Sequence, residues 1–265
     1  ERPLPRYTRQ RFDRWFALHQ RPRPPTRGRV ILWDDTFVRY HDPHPGIAAV
    51  KLLEAAGFEV ALPQGRLCCG RPAFSQGNLD EAVRLGRHNL SLLAADEDHA
   101  PIIFLEPSCF SMFLEDYREL KLPDAERIAS RCFLAEQFLD ELLRCEPTSL
   151  RFKARPVNVA IHVHCHAKAL TNPSYTHRLV SRLPERKVTY LDTGCCGMAG
   201  AFGMMESKYE LSLQVAKPLI DKIRAQPFGT VIVASGTSCR HQIEHLAPVR
   251  PKHLVEVLAE ALDEG

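Results

Sequence analysis

Short runs of apolar residues alternate with longer amphipathic segments along most of the chain. The runs have the length and β-branched content of buried strands, whereas the longer segments carry apolar residues at helical spacing. Strands are predicted at 30–33, 58–62, 102–105, 157–163, 188–191 and 230–234. Helices are predicted at 46–56, 79–95, 175–182 and 205–225. Strands that alternate with helices are typical of parallel sheets covered by helices, so the pattern predicts an α/β protein.

The second half of the chain repeats the order of the first. Cys68 and Cys195 lie 127 positions apart and Cys109 and Cys239 lie 130 apart, each pair in the same place relative to the predicted strands. Such a repeat indicates an internal duplication. We expect two tandem modules, each a small, mostly parallel sheet flanked by helices, related by a pseudo-twofold axis. Their predicted bounds are 28–152 and 153–265, after an N-terminal arm and linker at 1–27.

The N-terminal arm is rich in Arg and Pro. Its apolar patch has helical spacing and predicts a short docking helix that contains Phe12, Trp15, Phe16 and Leu18. The Pro-rich stretch at 21–25 then predicts a linker between this helix and the first strand.

Composition and charge narrow the choice of compartment and partner. The 265 residues are 45% hydrophobic and 25% charged, as in globular proteins. A net charge of +3 gives no indication of binding to nucleic acid or to an anionic membrane. No run approaches 18 apolar residues, and the N-terminus lacks the apolar core of a signal peptide. We therefore expect a cytoplasmic protein with no membrane span of its own, associated with a membrane only through partners.

Nine cysteines are an odd number and too few for a disulfide-stapled secreted scaffold. In a reducing cytosol, such cysteines are metal ligands, redox thiols or buried core residues. Cys132 and Cys145 lie in what reads as one helical pattern with Phe133, Leu134, Phe138 and Leu142, so we expect these two in the core.

Four cysteines of the second module each follow a predicted strand: Cys165, Cys195, Cys196 and Cys239. The carboxyl ends of parallel strands meet at one edge of a sheet, so these thiols are expected to converge there as metal ligands. Cys239 also precedes a predicted helix, whose N-terminal dipole favours a thiolate. Four thiolates suffice for zinc or for an iron–sulfur cluster, and composition does not choose between them.

Other polar residues flank these loops. His164 and His166 border Cys165 and are candidate ligands or hydrogen-bond donors, and alternation along a strand end would turn only one of them toward the site. Arg71 and Arg240 stand beside the cysteine loops as candidate partners of negative charge, or as plain exposed arginines. The first module offers a possible second site, or redox thiols, at Cys68, Cys69 and Cys109.

Three segments carry a resemblance to a known family: LCCGRPAFSQGNLDEA at 67–82, DTGCCGMAGAFG at 192–203 and ASGTSCRHQI at 234–243. From about residue 29 to 262, the chain resembles the cysteine-rich CCG domain that occurs in heterodisulfide reductase, in the iron–sulfur subunit of glycolate oxidase and in anaerobic glycerol-3-phosphate dehydrogenase. In the sequence of these three motifs, it is most similar to the C-terminal CCG region of fused FAD-linked D-2-hydroxyacid dehydrogenase/Fe–S oxidoreductases.

The resemblance implies a ligand pattern in each module: a leading Cys, a CC pair and a CxxC, which in the heterodisulfide reductase branch hold non-cubane [4Fe-4S] clusters. In the second module Gly236 stands where the first Cys of CxxC belongs. In the first, Glu106 takes that place and no Cys occurs between 35 and 38. The resemblance therefore implies one metal centre, in the second module, and a degenerate first module. The expected cofactor is a [4Fe-4S] cluster, with zinc or mononuclear iron as the alternative.

The function that this resemblance implies is electron transfer. The chain is expected to be an iron–sulfur oxidoreductase region that passes electrons between an FAD-linked 2-hydroxyacid dehydrogenase, with ferredoxin-type clusters, and an acceptor. FAD then belongs to the partner region alone, and no residue here receives a catalytic role. One alternative is a zinc-stabilised structural or docking module of the same complex. Another is a thiol–disulfide module that uses the vicinal cysteine pairs.

Overall fold

The computed structural model describes residues 2–263 and divides them into two compact units. The first unit contains residues 6–138, and the second contains 139–263 together with 2–5. This division lies earlier in the chain than the predicted one at 152/153, and it leaves residues 6–27 inside the first unit.

The first unit is built on a parallel sheet of four short strands. The strands are β1 (Arg29–Trp33), β2 (Glu59–Ala61), β3 (Ile102–Phe104) and β4 (Cys132–Leu134). Their order is β2-β1-β3-β4, and every neighbouring pair is parallel. Four of the five residues of β1 are buried, as expected for a central strand covered by helices on both faces.

The second unit repeats this arrangement. Its strands are β5 (Val157–His162), β6 (Arg186–Tyr190) and β7 (Val231–Ala234), all parallel, in the order β6-β5-β7. A single parallel bridge from Val233 to Lys252 lies on the outer side of β7, where β4 lies beside β3 in the first unit. The predicted α/β class and the duplicated parallel sheets are therefore confirmed.

Helices connect the strands of both units. In the first half they are α1 (Phe12–Leu18), α2 (Thr36–Tyr40), α3 (His44–Ala55), α4 (Arg71–Ser75), α5 (Leu79–Ala94), α6 (Pro107–Ser111), α7 (Tyr117–Glu119), α8 (Ala125–Ala129) and α9 (Ala135–Cys145), with a π-helical stretch at Met112–Asp116. In the second half they are α10 (Cys165–Leu170), α11 (Ser174–Ser181), α12 (Tyr209–Arg224), α13 (Thr237–Leu246) and α14 (Leu254–Ala261), with 3-10 turns at Phe202–Met204 and Glu206–Lys208. The unit boundary falls within α9.

Helix α1 is the short docking helix that the N-terminal pattern predicts. It contacts α2 and α3, and Phe12 is completely buried. Its partner surface is thus the first unit itself. Leu18, at the end of the helix, stays largely exposed.

The region around β4 corrects the sequence prediction. Cys132, Phe133 and Leu134 form a strand paired with β3, not a turn of helix. A run of three apolar residues has too little periodicity to distinguish the two, and pairing with β3 decides in favour of the strand. Cys132 is buried as expected, whereas Cys145, at the last position of α9, is exposed. The predicted core position of Cys145 is therefore wrong.

Within residues 2–263, none of the helices combines the length and the apolar character needed to cross a bilayer.

Each cysteine pair is followed by a glycine in the left-handed backbone region: Gly70 at φ 84° and Gly197 at φ 85°. Only glycine adopts this conformation without strain, so both loops need it to turn back after the pair. The surroundings differ. A Cβ at Gly197 would overlap the carbonyl oxygen of Ser212, whereas at Gly70 the nearest atom would be the Cα of Ala82 at 3.4 Å.

We expect Gly197→Ala to destabilise the second unit by more than Gly70→Ala destabilises the first. Both substitutions incur the left-handed penalty of about 1–2 kcal/mol, but only the first adds a collision with backbone. Denaturant unfolding measures the loss of stability in each variant, and hydrogen exchange during the titration distinguishes the unfolding of one unit from that of the other. Equal losses would contradict the steric contribution at Gly197.

Candidate metal centre

Three neighbouring parallel strands of the second unit bring four cysteines to one edge of its sheet. Cys165 begins α10 after the central strand β5, Cys195 and Cys196 follow β6, and Cys239 lies in the first turn of α13 after β7. Loops distant in sequence meet there because parallel strands end on the same side. Cys196 and Cys239 are buried, Cys195 is half-buried and Cys165 is exposed.

The four thiols are linked by hydrogen bonds. Donation to Cys195 raises the pKa of Cys165, and donation to Cys195 and then to Cys239 raises that of Cys196, with burial acting in the same direction. The accepting groups shift oppositely: hydrogen bonds from Cys165 and Cys196 lower the pKa of Cys195, and the bond from Cys196 lowers that of Cys239. Along this chain of hydrogen bonds, sulfurs with a raised pKa therefore alternate with sulfurs whose pKa is lowered.

Backbone groups support the two thiolates. The amide N–H of Gly197 donates to the sulfur of Cys195 at 3.3 Å. Cys239 lies at the third position of the ten-residue helix α13, where the helix dipole favours negative charge. The flanking glycine loop thus supplies donors as well as a turn.

His162 is a neighbour that the sequence pattern did not single out. It is the last residue of β5, is buried, and its Nδ1 lies 3.1 Å from the hydroxyl of Thr193. Its imidazole also contributes to the lowered pKa of Cys239, after the hydrogen bond from Cys196 and the charge of His164. The sequence did contain a signal for it: in the segment HVHCH, His162 lies two positions before His164, so the two side chains would lie on the same face of a strand. His162 was not chosen because it lay inside the predicted strand and not at its end.

His164 and His166 do not alternate along a strand, as the sequence prediction assumed. Helix α10 starts at Cys165, and His164 is its N-cap, whose Nδ1 accepts the backbone N–H of His166 at 3.1 Å. His164 is buried at 5% exposure, and its electrostatic interaction with Cys195 and Cys239 favours their lowered pKa values, after their thiol hydrogen bonds. His166 is half-buried and contributes its backbone N–H to the turn.

The two candidate arginines are engaged with their own loops. Arg240 is buried and donates to the carbonyl oxygens of Ala234, at 3.3 Å, and Ser235, at 2.6 Å, so it fastens the turn between β7 and α13. Arg71 forms an ion pair with Asp116 and a hydrogen bond to Ser111. Both side chains therefore stabilise the conformation of the cysteine loops.

The first unit gathers its three cysteines in the corresponding positions. Cys68 and Cys69 follow β2 and Cys109 lies in α6 after β3, and the sulfurs of Cys69 and Cys109 are 3.1 Å apart. Thr36 begins α2 as many residues after β1 as Cys165 begins α10 after β5. Its hydroxyl hydrogen bonds to Cys68, so a threonine occupies the place of the leading cysteine.

Electrostatics in the first unit favour protonated thiols. Hydrogen bonding to a neighbouring thiol and burial raise the pKa of Cys68 and of Cys69. The pKa of Cys109 is also raised, because burial and the charges of Asp35 and Glu106 outweigh its bond to Cys69. Both acids are buried, and burial, followed by repulsion from Glu106, raises the pKa of Asp35 to about 7.

Within the described chain, residues 2–263, no three His, Cys, Asp or Glu side chains form a ready-made metal-ion site. The thiols instead hydrogen bond to each other: the 3.1 Å between Cys69 and Cys109 is shorter than the roughly 3.8 Å between two thiolates on a tetrahedral ion. The donor set of the second unit nevertheless fits a soft metal, since four sulfurs converge there and two of them favour the thiolate.

Comparison with known proteins finds the same family in both units. The model of the family described as "Cysteine-rich domain", CCG, matches residues 36–114 and 159–244, one match in each unit. The chain is 28% identical over 263 residues to a subunit of the anaerobic glycerol-3-phosphate dehydrogenase of Escherichia coli K12, a match that covers 98% of this chain. It spans 66% of the length of that relative.

Two further relatives share the name lactate utilization protein A. The protein from Exiguobacterium sp. is 27% identical over 240 residues, which cover 84% of this chain and 94% of the relative. The protein from Bacillus pumilus is 26% identical over 244 residues, which cover 87% and 98%.

The raised pKa of Asp35 makes a prediction for the metal-free, reduced chain. The folded state binds this proton more tightly than the unfolded state, whose Asp has a pKa of 3.8, so the free energy of unfolding falls as pH rises from about 4 to about 7. Asp35→Asn keeps an oxygen to accept the N–H groups of Phe37 and Val38 and removes the titration. We expect the difference in unfolding free energy between Asp35→Asn and wild type to grow by on the order of 4 kcal/mol across that range. Urea titrations at several pH values measure this difference. An unfolding free energy that changes with pH equally in Asp35→Asn and in wild type would contradict the prediction.

Proposed function

This chain belongs to the cysteine-rich domain family, CCG, and from that membership we propose that it is an iron–sulfur electron-transfer region of an oxidoreductase. The observation that carries the proposal is the convergence of four cysteines, whose sulfurs hydrogen bond to one another, at the end of the second sheet. The ligands are Cys165, Cys195, Cys196 and Cys239. When bound, a [4Fe-4S] cluster held by four cysteines takes up and releases single electrons.

The protein's own residues would hold and tune that group. The burial of Cys196 and Cys239 keeps water from two of the four sulfurs. The N–H of Gly197 and the imidazoles of His162 and His164 surround the thiolates with donors and positive potential, which favours their ionised form. The exposed Cys165 lies on the open side, where electrons can enter or leave.

The proposed partner is an FAD-linked dehydrogenase, carried on another domain or subunit, together with ferredoxin-type clusters. Support comes from the E. coli relative, which is named as part of a dehydrogenase and has about a third of its length outside the match. Oxidation of the substrate, a 2-hydroxyacid in this proposal, takes place at the flavin of the partner. We propose a cytoplasmic location, with membrane association only through partners.

The first unit is proposed to hold no cluster. It has Thr36 in the place of a leading cysteine, and the acids Asp35 and Glu106 next to Cys109. Negative charge at this position opposes the ionisation that a thiolate ligand requires. Its three thiols remain candidates for a second site or for redox chemistry, but their raised pKa values make them poor nucleophiles.

A zinc-stabilised structural or docking module is the second candidate. Four sulfurs suit a tetrahedral zinc as well as a cluster, and a metal that ties three distant loops together would stabilise the second unit. In that case the electrons pass elsewhere in the complex.

Anaerobic purification followed by iron, zinc and acid-labile sulfide analysis tests the proposal. We expect iron and sulfide in near-equal amounts in the wild-type chain and at least a tenfold loss in Cys195→Ser, because this thiolate accepts from two thiols and one amide. Cys132→Ser is the matched control: Cys132 is a buried cysteine of the first sheet, and its sulfur bonds to the carbonyl of Ile128.

Two results would count against electron transfer. Zinc without sulfide in the wild-type chain favours the structural module. Equal loss of iron in Cys195→Ser and Cys68→Ser would place ligands in both units and overturn the assignment of the centre to the second.

A further inference from the structure

A buried serine of α12 contacts the turn that follows the second cysteine pair. Ser212 is completely buried, and its hydroxyl donates to the carbonyl oxygen of Gly197 at 2.7 Å. The amide N–H of the same glycine donates to the sulfur of Cys195 at 3.3 Å. A single glycine residue therefore separates the hydroxyl of Ser212 from a candidate metal ligand.

The same hydroxyl accepts two hydrogen bonds. Nη2 of Arg2 donates to Oγ of Ser212 at 3.1 Å, and Nε2 of Gln242 donates to it at 3.3 Å. A hydroxyl has one proton to donate and two lone pairs with which to accept. Because the two donors occupy the lone pairs, they direct the proton of Ser212 toward the carbonyl oxygen of Gly197.

Gln242 connects this serine to the next cysteine segment. It is completely buried in α13, three residues after Cys239, and it also donates to the backbone carbonyl of Ser212 at 3.3 Å. Gln242 and Cys239 belong to one helix, so the position of the first limits the position of the second. Ser212 therefore joins the turn after the cysteine pair to the helix that carries Cys239.

Arg2 approaches the same place from the N-terminal residues 2–5, which belong to the second unit. Its guanidinium also donates to the carbonyl oxygen of Gly203 and lies over the ring of Tyr209, 4.9 Å from the ring centroid. A Cβ at Gly203 would overlap both the guanidinium of Arg2 and the hydroxyl of Ser212. The glycine at the end of the DTGCCGMAGAFG segment thus leaves the space that these two side chains fill.

The first unit fastens its cysteine loop differently. Its helix α5 places Ala82, which has no hydroxyl, against Gly70, and the Cα of Ala82 is 3.4 Å from a Cβ built at that glycine. Asn89 of the same helix holds the loop instead, because its side-chain N–H donates to the carbonyl oxygen of Cys68 at 2.9 Å. The Ser212 network therefore belongs to the unit in which the metal centre is proposed.

We propose that Ser212 is a positioning residue of the metal centre and that Arg2 acts through it: the hydroxyl holds the turn after the cysteine pair against the helix of Cys239, so residues 2–5 help to set the affinity of the second unit for a metal. Neither side chain binds the metal. This inference rests on the proposed metal site and adds to it a residue, Arg2, that lies outside both matches to the family model.

Ser212→Ala removes the hydroxyl and keeps a good helix former in α12. Cobalt(II) titration of the reduced, metal-free full chain, read from thiolate-to-cobalt absorption, is expected to show about tenfold weaker affinity, the lower end of the loss on removing an outer-shell partner. Thr176→Ala, which removes a buried hydroxyl of α11, is the matched control and is expected to bind cobalt like the wild type. Wild-type affinity in Ser212→Ala would overturn the inference.

Arg2→Ala tests the contribution of the N-terminal residues. We expect a smaller loss of cobalt affinity than in Ser212→Ala, because Gln242 still donates to the hydroxyl. Arg6→Ala, at an exposed position of the same arm, is expected to leave the affinity unchanged. The double variant Arg2→Ala/Ser212→Ala is expected to bind cobalt about as weakly as Ser212→Ala alone, since the two side chains act as one unit. Additive losses would overturn the role of Arg2.

Amide hydrogen exchange gives a readout that needs no metal. In the reduced, metal-free chain, the N–H of Gly197 is expected to exchange faster in Ser212→Ala and in Arg2→Ala than in wild type, while the amides of α11 keep their wild-type rates. Equal acceleration throughout the second unit would indicate general destabilisation and overturn the positioning role. If the wild-type chain binds neither cobalt nor iron, the proposed function fails, and the exchange of Gly197 still decides whether Ser212 and Arg2 hold the turn.

Discussion

Several thiols packed against one another in a buried place resist ionisation, because each thiolate raises the energy of the next. Both units nevertheless bring their cysteines together, because three neighbouring parallel strands end at the same edge and the chain turns sharply after each cysteine pair. The glycine at φ near 85° and the braces at Arg71 and Arg240 serve that arrangement. The scaffold is therefore organised around holding sulfur atoms closer together than their charges would allow unaided.

The groups around the cysteines affect their ionisation in opposite ways in the two units. In the second, a backbone amide and two imidazoles stabilise alternate thiolates, so half of the sulfurs favour the ionised form that a metal needs. In the first, Asp35 and Glu106 add negative charge, and the thiols keep their protons. Arg66 opposes the raised pKa of Asp35, but its guanidinium is shared with Asp34 and does not outweigh burial. The same fold thus contains one site whose cysteines favour metal binding and one site whose cysteines stay protonated.

The sequence was sufficient to predict the features that depend on local pattern. Apolar runs of four to seven residues, the spacing of Cys68 and Cys195, and the glycines after each pair indicate the duplicated parallel sheets and the sheet edge where the thiols meet. What depends on tertiary pairing was missed. The strand at Cys132 exists because it pairs with β3, and the exposure of Cys145 depends on where α9 ends.

The neighbours of the thiols were the hardest part to predict, and the reason is geometric. The sequence does not distinguish a histidine in a strand from one at a helix cap or inside a helix. Yet His162 contacts the hydroxyl of Thr193, His164 caps α10, and His166 donates its backbone N–H to that cap. Thr36 could be recognised as the counterpart of Cys165 only once both were seen to begin a helix at the same distance from the central strand. Because side-chain charge at these few positions decides whether a thiol ionises, a duplicated scaffold can lose or keep a metal site through substitutions that leave its sheet, its turns and even most of its cysteines in place.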